Sequence, residues 1–455
     1  MSFGSMMLCS SVALCVSLAW GGHETVNYDE SRVPPFVMED PLVFADGTPL
    51  RSSADWPRRR AEILGVFARE MYGVEPPRPD AVVCERFEKG ETLAGLAVRE
   101  QWKMWFRRDK SGPAIDWLLV RPKYAKGRVP VVLQLNYYGN HDFMTDREVV
   151  LPRGWMQNER VSDGFAITNH CAEESFRGRL CRTDQRYGSP VDMLVSRGYA
   201  FLTATYADVS PDPDSRVDDM EKLPYSGVFA LWGPRDGSRT DNVTSLGAWA
   251  WALSRGLDLV ERHPDLDTKQ SVVTGCSRLG KAALLAAARD ERFAVCVPVQ
   301  TGKGGVPLAK RHFGENVHTQ MQTFPHWFCA AYRKYIDNER ELSFDQHLLL
   351  AAVAPRALLV LGFGSRWFDP KGEWLSVRAA SPAWTFLGLP GLPDVAEPDF
   401  FAADAIGQRI GYARREGKHG ISGYDWQLLV AFADRQFLHP RGSCRAIRLA
   451  AVTTW

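Results

Sequence analysis

Short apolar runs alternate with longer amphipathic stretches along the chain. The first amphipathic stretch covers residues 56–72, where Ile63, Phe67 and Met71 recur at a spacing of four, and it stops at Gly73. This spacing predicts a helix. Apolar runs that predict strands occupy residues 129–135, 199–205, 271–274, 293–299 and 357–362. Strands alternating with helices favour an α/β fold, in which helices cover both faces of a mostly parallel sheet.

Other segments complete this organisation. Residues 246–261 and 424–437 predict two further helices, the first of a length that parallel neighbouring strands require for their crossover. Residues 144–190 and 206–240 are long irregular insertions, and loops at the carboxyl ends of parallel strands usually build the ligand site. Residues 23–60 are rich in Pro, Asp and Arg and predict an extended arm laid over the domain.

The amino-terminal segment has the features of an export signal. Its first twenty residues carry no charged side chain, and the apolar run over residues 6–20 is too short for a comfortable membrane span. We therefore expect residues 1–22 to be a signal peptide, the protein to be secreted or periplasmic, and no membrane span. Residues 23–440 then form a single domain, and residues 441–455 are a tail without an assigned role.

Composition narrows the partners. Fifty-five Lys and Arg stand against 54 Asp and Glu, so no bulk charge attracts nucleic acid. The cysteines after residue 22 are odd in number and contain no CxxC pair, which argues against a zinc ribbon or a dense disulfide framework. We expect a monomer that uses no metal and no cofactor.

The most informative segment lies at residues 271–285. A β-rich tetrapeptide, a Gly275-x-Ser277 turn and an Ala/Leu-rich helix together predict a nucleophile elbow, which lifts the serine hydroxyl above the sheet. The usual second glycine would stand at position 279, but this chain has Leu279 there and Gly280 one residue later.

A serine hydroxyl needs a base to take its proton. His419 follows the final predicted strand and lies in a glycine-flanked loop before the last helix, which is the order expected on this scaffold. The alternatives by residue type lie between the elbow and that strand, where structural histidines are commoner, and they are His312, His318, His326 and His347.

Residues 275–281, GCSRLGK, resemble the signature of the glucuronoyl esterases of carbohydrate esterase family 15. Further similar segments follow in order over residues 55–438, and they are MYG (71–73), NYYGNH (136–141), LGAWAW (246–251), GEN (314–316), FPHWF (324–328), FDQH (344–347), APR (354–356) and WFDP (367–370). The resemblance implies an α/β-hydrolase fold, a three-layer sandwich with a mostly parallel central sheet. It also implies a serine esterase acting on esters of 4-O-methyl-D-glucuronic acid in lignin–glucuronoxylan cross-links.

The resemblance also implies residue roles. Ser277 would be the nucleophile and His419 the base, and Arg278 would help to form the oxyanion hole. In the family, the residues that match Lys281, Glu315 and Trp367 bind the hydroxyls of the glucuronate ring. Their ordinary interpretations are a solvated lysine, a surface carboxylate and a core tryptophan.

One feature departs from the family pattern. A carboxylate normally orients the catalytic histidine, and the family places it at one of two positions. Here those positions hold Gln300 and Ser365. Gln300 could orient the ring through its amide oxygen, or Asp369 could reach His419 from a shifted loop. Asp369 also has a structural interpretation, which we favour, as a capping residue before Pro370.

Two rival functions follow from this departure and from the fold. The missing carboxylates favour a weakened or catalytically silent protein that binds uronoyl esters. An acetyl-xylan or other carbohydrate esterase is the second rival, but an acetyl group offers no ring for Lys281, Glu315 and Trp367 to hold.

Overall fold

The computed structural model describes residues 26–161, 164–182, 190–216 and 218–437, and a nine-stranded sheet forms the centre of this part of the chain. Its strands, together with the separate pair β5 and β6, are β1 (Val83–Thr92), β2 (Ala97–Trp105), β3 (Ala114–Pro122), β4 (Val129–Asn136), β5 (Glu159–Arg160), β6 (Ala166–Ile167), β7 (Ala200–Thr205), β8 (Leu266–Cys276), β9 (Val295–Val299), β10 (Ala357–Phe363) and β11 (Ile410–Arg415). Their order in the sheet is β1-β2-β3-β7-β4-β8-β9-β10-β11. The sheet is parallel from β7 to β11 in this order, whereas β1, β2 and β3 are antiparallel.

Helices cover both faces of this sheet. They are α1 (Trp56–Phe67), α2 (Arg179–Arg182), α3 (Pro190–Ser196), α4 (Ser245–Arg262), α5 (Ser277–Arg289), α6 (Val317–Thr323), α7 (Gln346–Ala351), α8 (Pro370–Ala380), α9 (Pro382–Phe386) and α10 (Gly423–Phe437). Alternate residues of β3 enter two separate cores, with Trp117 and Leu119 packed in the core of α4 and α5, and Leu118 and Val120 in the core of α3 and α10. The predicted three-layer arrangement with a mostly parallel sheet is confirmed.

The periodic segments are the ones that the sequence located well. All five predicted strands are present, and the strand predicted at residues 271–274 extends to β8 in the structure. The predicted helix over residues 56–72 is also present, although its last turn, Ala68–Tyr72, is a π-helix. It ends at Gly73, which has a positive φ of 74° that glycine adopts without strain.

Four strands of the main sheet were missed. β1 is a largely exposed, charged edge strand, and β2 buries the polar run Arg99, Glu100 and Gln101, so neither contains an apolar run. β3 belongs to the same antiparallel extension. The prediction that the strand at residues 357–362 is the last one is wrong, because β11 follows it in the sequence. β11 ends in two arginines and therefore lacks the apolar run that marks the other parallel strands.

The strand order determines where the site forms. β8, β9, β10 and β11 are consecutive parallel neighbours, so the loops after their carboxyl ends meet at one edge of the sheet. Ser277 follows β8, Gln300 follows β9, and His419 lies in the loop after β11.

Some predictions concern other parts of the chain. Residues 1–22, the predicted signal peptide, and the tail 441–455 lie outside the described residues. None of the helices in the described ranges is long and apolar enough to cross a bilayer. Within the same ranges, no cluster of three or more His, Cys, Asp or Glu side chains is arranged to hold a metal ion.

Candidate active site

The turn between β8 and α5 has the backbone geometry of a nucleophile elbow. Ser277, the first residue of α5, has a φ of 57°, a left-handed value that is uncommon for a residue with a side chain. A Cβ on Gly275 would lie 2.4 Å from the carbonyl oxygen of Leu279, and a Cβ on Gly280 would lie 2.7 Å from that of Gly275. Because the backbones at 275 and 280 approach so closely, the turn requires glycine at position 280, whereas position 279 accepts a leucine. This explains why the second glycine of the elbow stands one residue later than usual.

His419 lies beside the carboxyl end of β9. Its Nδ1 is 2.9 Å from Oε1 of Gln300, and the aromatic rings of Phe363 and Phe368 lie 5.4 and 4.6 Å from the imidazole, centroid to centroid. Gln300 is fully buried and has a left-handed φ of 47°. Its backbone N–H donates to the carbonyl oxygen of Leu361 at 2.8 Å. The imidazole is therefore held between two rings and one amide.

The orientation of the Gln300 amide follows from a backbone donor. The N–H of Gly420 donates to Oε1 at 2.9 Å, so the oxygen, which alone can accept, must face the loop that carries His419. The same oxygen then accepts the Nδ1–H of His419, which leaves Nε2 as the basic nitrogen. Nε2 of Gln300 is buried and has no hydrogen-bond partner among the described residues.

The electrostatic surroundings keep His419 neutral. The side chain of His419 is exposed to solvent at one edge, but the protein groups packed around the rest of the imidazole desolvate it, which is the main cause that lowers its pKa, to about 4; the positive charges of Arg278, Lys281 and Arg415 lower it further. At neutral pH the imidazole is therefore unprotonated and able to accept a proton, but an imidazolium is disfavoured in this position.

The other two candidate partners of His419 have different contacts. Ser365 lies at the start of a short 3₁₀ turn, where its carbonyl accepts the N–H of Phe368 at 3.0 Å. Asp369 is fully buried, caps α8 by accepting the N–H of Gly372 at 3.0 Å, and pairs with Lys303 at 3.1 Å and Arg311 at 2.9 Å. The favoured interpretation of Asp369 as a capping residue is confirmed.

Arg278 lies next to the nucleophile and is fixed on several sides. Its Nη1 forms an ion pair with the buried Asp212, and its guanidinium carbon lies 4.9 Å from the ring centroids of both Phe324 and Trp327. Burial opposes its charge, but the Asp212 carboxylate outweighs this effect and raises the pKa of Arg278 above its usual range. The guanidinium is thus a fixed positive charge beside Ser277.

Lys281 contacts Glu315, and Glu315 in turn contacts the backbone of Trp367. The Lys281 ammonium lies 3.8 Å from Oε2 of Glu315 and 5.0 Å from the ring centroid of Trp327, and its side chain is almost fully buried. The N–H of Glu315 donates to the carbonyl of Trp367 at 2.9 Å. Because burial is the main influence on Lys281, its pKa is lowered despite the carboxylate. The ordinary interpretations are wrong for all three residues, because Lys281 and Glu315 are buried and Trp367 is only half-buried.

A cavity of about 560 Å³ opens beside the nucleophile. Ser277, Arg278 and His419 line it, together with residues at the end of β4, in the 144–190 insertion and at the start of α10. Lys281, Glu315 and Trp367 are not among the described residues that line it.

Comparison with known proteins identifies the family. The fungal glucuronyl esterase family model matches residues 218–388. The chain is 35% identical to carbohydrate esterase MZ0003, from an unknown prokaryotic organism, over 412 residues, which are 90% of this chain and 91% of that protein. A solved structure of a promiscuous esterase of carbohydrate esterase family 15, from a marine bacterial metagenome, superposes with a TM-score of 0.81 at 35% identity and covers 90% of this chain and 100% of that one. The chain belongs to the glucuronoyl esterases of carbohydrate esterase family 15.

This glucuronoyl esterase also has fungal relatives. It is 36% identical over 374 residues to the 4-O-methyl-glucuronoyl methylesterase 1 of Phanerochaete chrysosporium, covering 79% of this chain and 64% of that protein. Membership of the family confirms the predicted α/β-hydrolase fold, and the chain is a carboxylic ester hydrolase.

Sequence reasoning missed one residue of this glucuronoyl esterase site. Asp212, in the loop after β7, accepts hydrogen bonds from His326 Nε2 at 2.8 Å and Trp327 Nε1 at 2.6 Å in addition to its ion pair with Arg278. The available signal was an aspartate between two prolines in an insertion at the carboxyl end of a strand. The FPHWF segment, singled out for its resemblance alone, supplies both of these partners.

Proposed function

We propose that this enzyme hydrolyses esters of 4-O-methyl-D-glucuronic acid, such as those that join lignin alcohols to glucuronoxylan, with Ser277 as nucleophile and His419 as base. The observation that carries the proposal is the elbow at Ser277, which lines one cavity with a histidine whose Nδ1 is held by Gln300. The names of the fungal relatives support the uronate as the acyl group.

The reaction has two steps. Nε2 of His419 takes the Ser277 proton as Oγ attacks the uronoyl carbonyl carbon, and the negative oxygen of the tetrahedral intermediate forms near Arg278. The ester C–O bond then breaks, and the departing alcohol takes the proton from Nε2. In the second step, water gives a proton to Nε2 as its oxygen attacks the acyl carbon; the bond from that carbon to Oγ of Ser277 then breaks, Oγ takes the proton back from Nε2, and glucuronate leaves.

Gln300 takes the place of the usual carboxylate in this proposal. Because its oxygen accepts from both His419 and Gly420, the amide fixes the tautomer that leaves Nε2 free to act as the base. In serine proteases, replacing the carboxylate of the triad by an amide gives the wrong histidine tautomer and costs about 10⁴ in turnover. The fixed amide orientation here supports a smaller penalty, since only the charge is missing.

Lys281, Glu315 and Trp367 would bind the glucuronate ring. The ammonium and the carboxylate of the buried pair are suited to ring hydroxyls, because hydrogen bonds to charged groups are the stronger ones. We also propose export through residues 1–22, a single catalytic domain over residues 23–440 and a monomeric enzyme in the periplasm or outside the cell.

A protein that binds uronoyl esters without turning them over is the second candidate. The amide at the acid position favours it, and so does the low pKa of His419, because both disfavour the imidazolium that catalysis requires.

The test is hydrolysis of benzyl glucuronate and benzyl acetate by the wild type, Ser277→Ala and Ser376→Ala. Ser376 is a buried serine on α8 that does not line the cavity, so its variant controls for the loss of a hydroxyl. We expect hydrolysis that depends on Ser277 and prefers the glucuronate. A preference for benzyl acetate would contradict the substrate class. No Ser277-dependent hydrolysis, with methyl glucuronate still binding in calorimetry, would favour the second candidate.

A further inference from the structure

Asp212 is a buried carboxylate at the centre of the cationic side of the site. Its side chain is 1% exposed, and three different side chains direct donors at it, namely Arg278, His326 and Trp327. Burial opposes its ionisation, but the charge of Arg278 and the hydrogen bonds from His326 and Trp327 outweigh this effect and lower the pKa of the carboxyl to about 2. Asp212 is therefore charged throughout the working range of an esterase.

The carboxylate holds one edge of the Arg278 guanidinium and leaves another donor unused. Nη1 is paired with Asp212, whereas Nε is buried and has no acceptor among the described residues. The rings of Phe324 and Trp327, which stack on each other at 4.1 Å, limit the movement of the guanidinium. A buried N–H without an acceptor is costly, so the arrangement favours an oxygen that arrives with the substrate.

Asp212 also acts on the second cation of the site. The Nε1–H of Trp327 donates to the Asp212 carboxylate, and this hydrogen bond fixes the indole. The ammonium of Lys281 lies 5.0 Å from the centroid of the same ring. One carboxylate is thus connected directly to Arg278 and, through Trp327, to Lys281.

We propose that Asp212 is a positioning residue for the reaction, which holds the Arg278 guanidinium where the oxyanion develops. This inference rests on the proposed function, since it requires that Arg278 stabilises the oxyanion formed on attack by Ser277. It adds a carboxylate to the site that does not contact the substrate and acts through the arginine.

The first test compares Asp212→Asn with Asp214→Asn. Asp214 is a buried aspartate two residues further along the same loop, and its carboxylate pairs with Arg216 rather than with the site. We expect kcat on benzyl glucuronate to fall about 10- to 100-fold in Asp212→Asn, because a displacement of about 1 Å costs up to 10²-fold, with KM changed less than threefold. Asp214→Asn should retain kcat within about twofold.

The second test separates positioning from a general loss of structure. Arg278→Ala removes the guanidinium, and added guanidinium chloride at millimolar concentration should restore part of kcat by occupying the site next to Asp212. The same addition should not restore the double variant Arg278→Ala/Asp212→Asn. A third comparison uses His326, where Gln keeps a donor near Nε2 and Phe does not, so His326→Gln should retain more kcat than His326→Phe.

Each result bears on the proposal. Equal rescue of the single and double variants would overturn it, as would an Asp212→Asn enzyme with wild-type kcat. If Asp212→Asn fails to fold, the His326 pair decides, and equal kcat values in that pair would overturn the proposal. Failure of the proposed function gives a different result, since the wild type itself would then show no Ser277-dependent hydrolysis.

Discussion

Gln300→Glu should make this esterase faster, because it supplies the charge that the site lacks. The new carboxylate would face the imidazolium that forms on His419 in the transition state, at the position where Oε1 now lies 2.9 Å from Nδ1. Two unit charges about 4 Å apart attract by about 4 kcal/mol at an effective dielectric constant of 20. Burial of the carboxylate offsets part of this, while the Gly420 N–H still donates to it. We expect a net 1.5–3 kcal/mol, or about a 10- to 100-fold rise in kcat/KM.

The same substitution should change the pH dependence. The pKa of His419 is about 4, so kcat/KM of the wild type should stay constant as the pH falls and decline only near pH 4, where the imidazole becomes protonated. A neighbouring carboxylate favours the charged form and raises the pKa of His419, so the decline in Gln300→Glu should begin at a higher pH. The variant should therefore gain most at pH 7 and lose its advantage towards pH 4.

The assay is initial-rate hydrolysis of benzyl glucuronate from pH 3.5 to 8, with two further variants. Gln300→Met keeps the length of the side chain without its acceptor and should be slower than the wild type. Gln408→Glu adds a charge at an exposed position before β11 and should leave the profile unchanged. The reasoning is refuted if Gln300→Glu leaves both the rate and the pH of the decline at their wild-type values.

Three further predictions follow from individual contacts. Ser277→Gly should be inactive but about 0.5–1 kcal/mol more stable in urea unfolding, because glycine adopts the left-handed φ of 57° without strain. Asp369→Asn should lower the free energy of unfolding by about 3–5 kcal/mol, because Lys303 and Arg311 lose their buried partner, while kcat of the folded enzyme persists. Lys281→Met should raise KM for benzyl glucuronate about 10- to 100-fold and leave benzyl acetate unaffected.

Each of these has an outcome that contradicts it. A less stable Ser277→Gly would show that the turn is not strained. A loss of kcat in Asp369→Asn without a loss of stability would identify Asp369 as a relocated acid. An equal loss on both substrates in Lys281→Met would remove the lysine from ring binding and make its burial a matter of folding alone.

Local patterns in the sequence determined the scaffold and the position of the candidate nucleophile. The period of apolar residues located the core strands and helices, and Gly275 with the residues after it predicted the elbow, because strand, turn and helix geometry depend on neighbours a few residues apart. The same reasoning failed for β2, because Arg99, Glu100 and Gln101 are buried in ion pairs and hydrogen bonds with charged side chains of other segments rather than in apolar packing.

Tertiary structure alone decided what surrounds the reactive groups. Gln300 and His419 are 119 residues apart in sequence, and the amide orientation depends on the backbone N–H of Gly420, which no residue type encodes. Asp212 meets Arg278 across 66 residues by an ion pair between the loop after β7 and the first turn of α5. Such contacts depend on where segments that are distant in sequence converge at the edge of the sheet. The hydrogen bonds and charges at that edge are therefore set by the tertiary fold and not by the local sequence pattern.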